Sequence, residues 1–201
     1  MAGEVDIANM ALRHLGQGVG IQDLESEMTE AAIACRAFFD FARDKALSDV
    51  PWPFAREFAT LALVEDDPTE EWSHSYRVPV DSLVVRRIRS GTRRDNQGTA
   101  VPFIIGQDAD GGLLFTDESP CPVEYTKRVE DPNKWSADFS RALSYLLAMD
   151  IAPGLAAGDN TGIVRRCEER YMIEIQKAIA TSINGQQFDV LPPSSFERAR
   201  T

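Results

Sequence analysis

Three cysteines at 35, 121 and 167, with no Cys-x-x-Cys, and only two histidines, His14 and His74, leave this 201-residue chain short of ligands for a structural zinc. The cysteines are read as free thiols, two of them on apolar helix faces, so no metal is expected. No run of about 18 apolar residues is present to cross a membrane. The opening segment MAGEVDIANM holds two acids and no base, unlike a secretory leader, and the chain is expected to be soluble and unsecreted. Neither GxxxxGK[ST] nor GxGxxG occurs, which removes sequence support for nucleotide binding. The stretch DADGG at 108–112 resembles a calcium loop but lacks the third acidic position and the distal glutamate, so a hairpin turn is expected. No nucleophile, base or metal-ligand signals converge in the sequence; an enzyme and a bound cofactor are therefore not expected.

Basic residues are also scarce. The chain carries 21 Lys+Arg against 32 Asp+Glu, a net charge of −11. The imbalance sits at the front, where residues 1–72 hold 15 acids against 5 bases. Such a surface repels phosphate, which argues against tight wrapping of DNA.

What is present is helical and strand periodicity. Ile7, Ala8, Ala11, Leu12 and Leu15 fall on one helical face, with Gly16 to Gly20 ending the run. Ser26 reads as the N-cap of a second helix in which Met28, Ala32, Cys35, Phe39, Ala42 and Ala46 form the apolar stripe, stopped by Pro51. From 54 to 130 the texture changes to short apolar runs. SLVVRRIR, VPFIIG, GLLF and PVEYTKRV read as strands, with RDNQG and DADGG as turns. Asp131-Pro132 opens a third helix carrying Trp135, Phe139, Ala142, Leu146 and Met149, and Pro153-Gly154 kinks or ends it. A fourth helix carries Ile163, Cys167, Tyr171, Ile175, Ile179 and Ile183. The expected architecture is mainly α with a β insertion: a four-helix bundle with a small antiparallel β subdomain between helices 2 and 3 and an extended C-terminal arm. Its segments are 1–53, 54–130, 131–185 and 186–201.

Three groups of residues stand out as candidate sites. Pro51, Trp52, Pro53 and Phe54 put two large aromatics into a rigid corner between helix and strand. Arg86, Arg87, Arg89, Arg93 and Arg94 cluster at a strand end; they read either as a solvated edge that blocks strand pairing or as a contact with an acidic surface, a neighbouring subunit before a phosphate backbone. The last segment is either an unused terminus or a docking arm. Phe188, Val190, Leu191 and Phe196 are more apolar anchors than an unused tail keeps, and prolines hold them extended, so a docking arm that includes Arg198 and Arg200 is favoured. His14 reads as a helix-end residue and His74 has no identifiable partner.

The segments ANMALRHLGQ and IQDLESEMTEAAIACRAFFDFARDKALSDVPWPFA together resemble the N-terminal signature of the head-to-tail adaptor (connector) proteins of tailed phages, the tail tubular protein A family. The shared points are Leu15-Gly16, Ile21 and Leu24, the run from Ala31 to Phe39, and the Trp52 to Ala55 corner. YRVPVDSLVVRRI and PNKWSADFSRALSYLLAMDIAP continue the resemblance, whereas 91–122 and the last residues match nothing in it. The resemblance implies a non-enzymatic virion protein at the neck between capsid and tail, assembled in the host cytoplasm. It implies a ring, usually of twelve copies, with the portal protein above and a tail nozzle or stopper protein below. It further implies that genomic DNA passes through without sequence-specific binding and that the C-terminal segment reaches the portal. The alternatives are a head-completion protein of a long-tailed phage or gene transfer particle, or, in another class, a cytoplasmic helical binding module.

Overall fold

The computed structural model of the chain describes residues 3–89, 100–156 and 160–184. Helix α1 spans Glu4–His14, α2 Glu30–Asp49, α3 Ala137–Leu155 and α4 Thr161–Asn184. Seven described strands lie between α2 and α3: β1 Arg56–Thr60, β2 Ala62–Thr69, β3 Trp72–Arg77, β4 Ser82–Ile88, β5 Ile104–Asp108, β6 Gly111–Thr116 and β7 Pro122–Lys127. They form two antiparallel sheets, one ordered β1-β7-β4 and the other β2-β3-β6-β5.

The four-helix bundle with a small β subdomain is not what the chain forms. Instead, α3 is the hub: α1, α2 and α4 each pack on it, while α1 and α2 barely touch each other. The reason lies in α3 itself, where Phe139, Ala142, Leu143, Leu146, Leu147, Ala148, Ile151 and Ala152 are buried together with Ser140 and Ser144, leaving little of its circumference for water. The β region is no minor insertion. Its two sheets close on a core of their own, made by Leu61, Tyr76, Ile88, Leu114, Cys121, Val123 and Tyr125. The expected arm at 186–201 lies outside the described residues.

Local chemistry sets the helix ends. At the close of α1, Gly16 has φ +81°, and the Gln17 N–H bonds the Leu12 carbonyl at 3.0 Å while the Gly16 N–H bonds Arg13 at 3.0 Å. This left-handed cap needs glycine. Asn9 then holds the returning loop, with its side-chain amide bonding both N–H and C=O of Ile21 at 2.8 Å. Helix α2 begins later than expected. Asp23 engages the Ser26 hydroxyl at 2.6 Å and the backbone N–H groups of Glu25 and Ser26, so Thr29 becomes the N-cap and Met28 stays exposed outside the apolar stripe. Asp131-Pro132 likewise opens only a 3-10 turn over Pro132–Lys134, and Ser136 caps α3. Pro153 sits in the last turn of α3, where the N–H it lacks costs a single helical bond.

Candidate functional site

The joint between helices and sheets is built around the last turn of α2. A helix leaves its final four carbonyls without partners. The usual remedy, a glycine cap, is closed here because Pro51 forces the preceding residue into extended backbone, and Val50 has φ −131° and ψ 142°. Side chains from elsewhere supply the donors. The Trp52 indole N–H donates to the Ala46 carbonyl at 2.8 Å. The Arg86 guanidinium, arriving from β4, donates to the carbonyls of Leu47 at 3.3 Å, Ser48 at 2.8 Å and Val50 at 3.2 Å, and its Nε donates to the Thr126 hydroxyl at 2.8 Å.

The corner residues continue the joint inward. Trp52 meets the Phe139 ring edge-on at 5.2 Å between centroids, Phe54 meets the same ring at 5.3 Å, and Trp135 meets it at 5.4 Å. Phe139 is thus wrapped by aromatics from both sides of the β region. Trp135 repeats the anchoring of Trp52, since its indole N–H donates to the carbonyl six residues back, that of Val129, at 2.9 Å. Two further links tie the α2 end down. Tyr171 of α4 donates its hydroxyl to Asp49 at 2.7 Å, and Arg128 donates to Asp44 at 2.9 Å. Burial, then the Asp49 hydrogen bond, raises the Tyr171 pKa and keeps that hydroxyl a donor.

The arginine cluster divides by role. A register slip between Val85 and Arg87 lets consecutive arginines reach the polar side of β7, where a regular strand would send them to opposite faces. Arg86 bonds Thr126 and the helix end, and burial, the largest influence, lowers its pKa, with Asp49 and Glu124 countering. Arg87 bonds Glu124 at 2.7 Å, and Arg56 flanks the same buried carboxylate at 3.0 Å. Arg89 lies over the Phe58 ring at 5.0 Å. The structure therefore engages Arg86 within the chain, at the joint, where the sequence leaves a solvated edge or a contact with an acidic surface open. Arg93 and Arg94, like Phe188, Val190, Leu191, Phe196, Arg198 and Arg200, lie outside the described residues.

Other candidates resolve into structural contacts. His14 stacks on Tyr145 with centroids 4.1 Å apart, and its Nε2 lies 3.1 Å from the Ser144 hydroxyl. That hydroxyl spends its proton on the Arg141 carbonyl at 2.8 Å, so Nε2 is the protonated nitrogen. His74 pairs with Asp66 across the β2–β3 hairpin at 2.8 Å. Asp108 of the DADGG turn is gripped by both guanidinium nitrogens of Arg77, at 2.7 and 2.8 Å, which holds its carboxyl down to about 2. All three cysteines are buried, and burial pushes the Cys35 and Cys121 thiols up to about 11. Among the described residues no group of three His, Cys, Asp or Glu is placed to hold a metal ion, and no helix is long and apolar enough to cross a membrane. No protein-family model and no curated protein matches the chain.

Proposed function

We propose that this chain is a structural virion protein, a head-to-tail adaptor that assembles as a ring, twelve copies by family resemblance, between the portal vertex and the tail. The observation that carries the reading is the Trp52-to-Ala55 corner, present in the order the resemblance requires and built as a rigid mount: Trp52 and Phe54 clasp Phe139 while Trp52 bonds the end of α2. A ring needs wedge-shaped subunits whose parts keep fixed angles, and a doubly anchored aromatic corner supplies that stiffness. In this role the portal protein is the upper partner, a tail nozzle or stopper protein the lower one, and genomic DNA passes through the lumen. The acid excess of residues 1–72 suits such a conduit, since acidic walls do not hold phosphates.

The test is light-scattering mass and electron microscopy of the purified protein, alone and mixed with a portal protein from the same source. The expected result is a monomer or small oligomer that becomes a ring on the portal, and a variant lacking residues 186–201 that keeps its circular dichroism spectrum but no longer binds. A folded full-length protein that ignores the portal overturns the adaptor reading and favours a helical binding module.

A further inference from the structure

The polar face of sheet β1-β7-β4 carries more guanidinium than it neutralises. The register sets Arg56 beside Thr126 and Phe58 beside Glu124, with Arg87 beside Glu124 from the other flank. Buried Glu124 accepts a hydrogen bond from Arg87 Nε at 2.7 Å. Arg56 comes within 3.0 Å of the same carboxylate, yet its Nε is buried and makes no hydrogen bond. A buried donor of this kind asks for an acceptor. Arg89 is held by its backbone N–H on the Pro122 carbonyl at 2.7 Å, and its guanidinium crosses to lie over the Phe58 ring, which is 49% exposed.

One carboxylate cannot neutralise two guanidinium groups, and Glu124 already holds Arg87. Arg56 is therefore surplus, and Arg89 makes no ion pair among the described residues. Neighbouring acids are committed elsewhere. Glu57 shares the opposite face of β1 with Tyr125 and lies beside Lys127, and Asp49 is bound by Tyr171 and Lys45. Next to Arg89 the sheet opens into a cleft of about 140 Å³, lined by Phe58, Ala59, Thr60, Arg89, Pro122 and Val123. Two uncompensated cations thus stand beside a small, partly apolar recess.

We propose that this face binds an acidic segment of a protein partner, its carboxylates on Arg56 and Arg89 and an apolar side chain in the cleft against Phe58. Guanidinium groups take a carboxylate through paired N–H donors, and Arg89 is already ordered on the Phe58 ring, so little freedom is lost when the partner arrives. Arginine and aromatic anchors together are what protein interfaces favour. Nucleic acid fits less well. The net charge of −11 repels a long polyanion, whereas a short acidic segment meets mainly the local patch. The Phe58 ring is covered by Arg89, which removes the open platform that base stacking needs. This inference goes beyond the adaptor reading and does not depend on it.

The test is fluorescence anisotropy of a dye-labelled, capped peptide of alternating glutamate and leucine, titrated with the full chain at low salt. The same peptide with glutamine for glutamate and an oligothymidylate of equal charge run beside it. Wild type is expected to bind the glutamate peptide about tenfold tighter than either, or more. Arg89→Gln and Arg56→Gln are each expected to weaken that binding about tenfold, with circular dichroism confirming the fold. Arg89→Lys should restore little, because an ammonium neither lies flat on the ring nor presents paired donors. Arg170→Gln removes the same charge from exposed surface on α4 and is expected to change nothing. Should Arg56→Gln fail to fold, Arg89→Gln carries the test alone. A wild type that does not bind the glutamate peptide or binds both peptides equally, a folded Arg89→Gln with wild-type affinity, or equal weakening by Arg170→Gln overturns the proposal. Tighter binding of the oligothymidylate overturns it in favour of a phosphate backbone, and self-association of wild type that Arg89→Gln abolishes overturns it in favour of a second copy.

Discussion

Replacing Trp52 by alanine tests the joint most directly. The side chain is 3% exposed, packs edge-on against Phe139 and donates its indole N–H to the Ala46 carbonyl. Truncating a buried tryptophan costs about 3–5 kcal/mol from lost burial and the cavity left behind. The lost hydrogen bond accounts for about 1 kcal/mol, and the edge-to-face contact for a further share of about 0.5–1.5 kcal/mol. Trp52→Ala is therefore expected to lower the unfolding free energy by about 4 kcal/mol, read as a fall in the urea midpoint by circular dichroism. Trp52→Phe keeps a ring against Phe139 but loses the donor, and is expected to cost about 1–2 kcal/mol. A double-mutant cycle with Phe139→Leu isolates the ring–ring part. If Trp52→Ala costs less than about 1 kcal/mol, or if Phe at this position is no better than Ala, the corner does not anchor the β unit and the mechanical argument fails.

Arg86→Ala strips three carbonyls at the α2 end of a charged donor and is expected to cost about 2–3 kcal/mol; Arg86→Lys should recover less than half of that, because one ammonium cannot span the same carbonyls. Equal stability of the lysine variant and wild type in urea would refute the capping role. Burial lowers the His14 pKa below its ordinary value of 6.5, so the unfolded chain binds the proton more readily. The resulting contribution is fully present above pH 6.5 and is lost as pH falls through 6.5 toward the folded pKa, so wild type should lose stability relative to His14→Phe over that window; a pH-independent difference would rule His14 out. A thiol-reactive dye is expected to label none of the three buried cysteines in the native state and all three in denaturant, and rapid native labelling would contradict their placement.

Much of this was readable where burial follows a simple period. β4, β6 and β7 stand where the apolar runs placed them, and in β7 the alternation is clean: Val123 and Tyr125 face the β core while Glu124 and Thr126 face the arginines. The β2–β3 hairpin was missed because VEDDPTEEW is charge-rich, a composition tolerated since β2 is a sheet edge open to water. Helix packing was misjudged for a different reason. Amphipathic spacing tells which side of a helix is buried and says nothing of its neighbours, so four such helices suggested a closed bundle. The better signal was the sparse charge of SRALSYLLAMDIA, which marks a helix covered nearly all round. The separation of Arg86 from Arg87 could not be read at all, because a register slip leaves no mark on two identical neighbours.

The C-terminal end of α2 brings these threads to one place. Of its four unpartnered carbonyls, those of Ala46, Leu47 and Ser48 find donors in two side chains, Trp52 and Arg86, that lie 34 positions apart in sequence. One follows the helix directly and the other returns from β4 after three strands have been laid down. The helix end is thus completed only when sheet β1-β7-β4 has docked, so local order and long-range packing depend on each other there. Asp49 and Asp44 extend the same dependence to α4 and to the exit of β7. A proline-bounded corner without a glycine cap would be a weak helix terminus by itself. Held from three directions, it becomes a point where helices and sheets cannot turn against one another without exposing backbone carbonyls in a buried place, and that cost is what keeps the angle between them fixed.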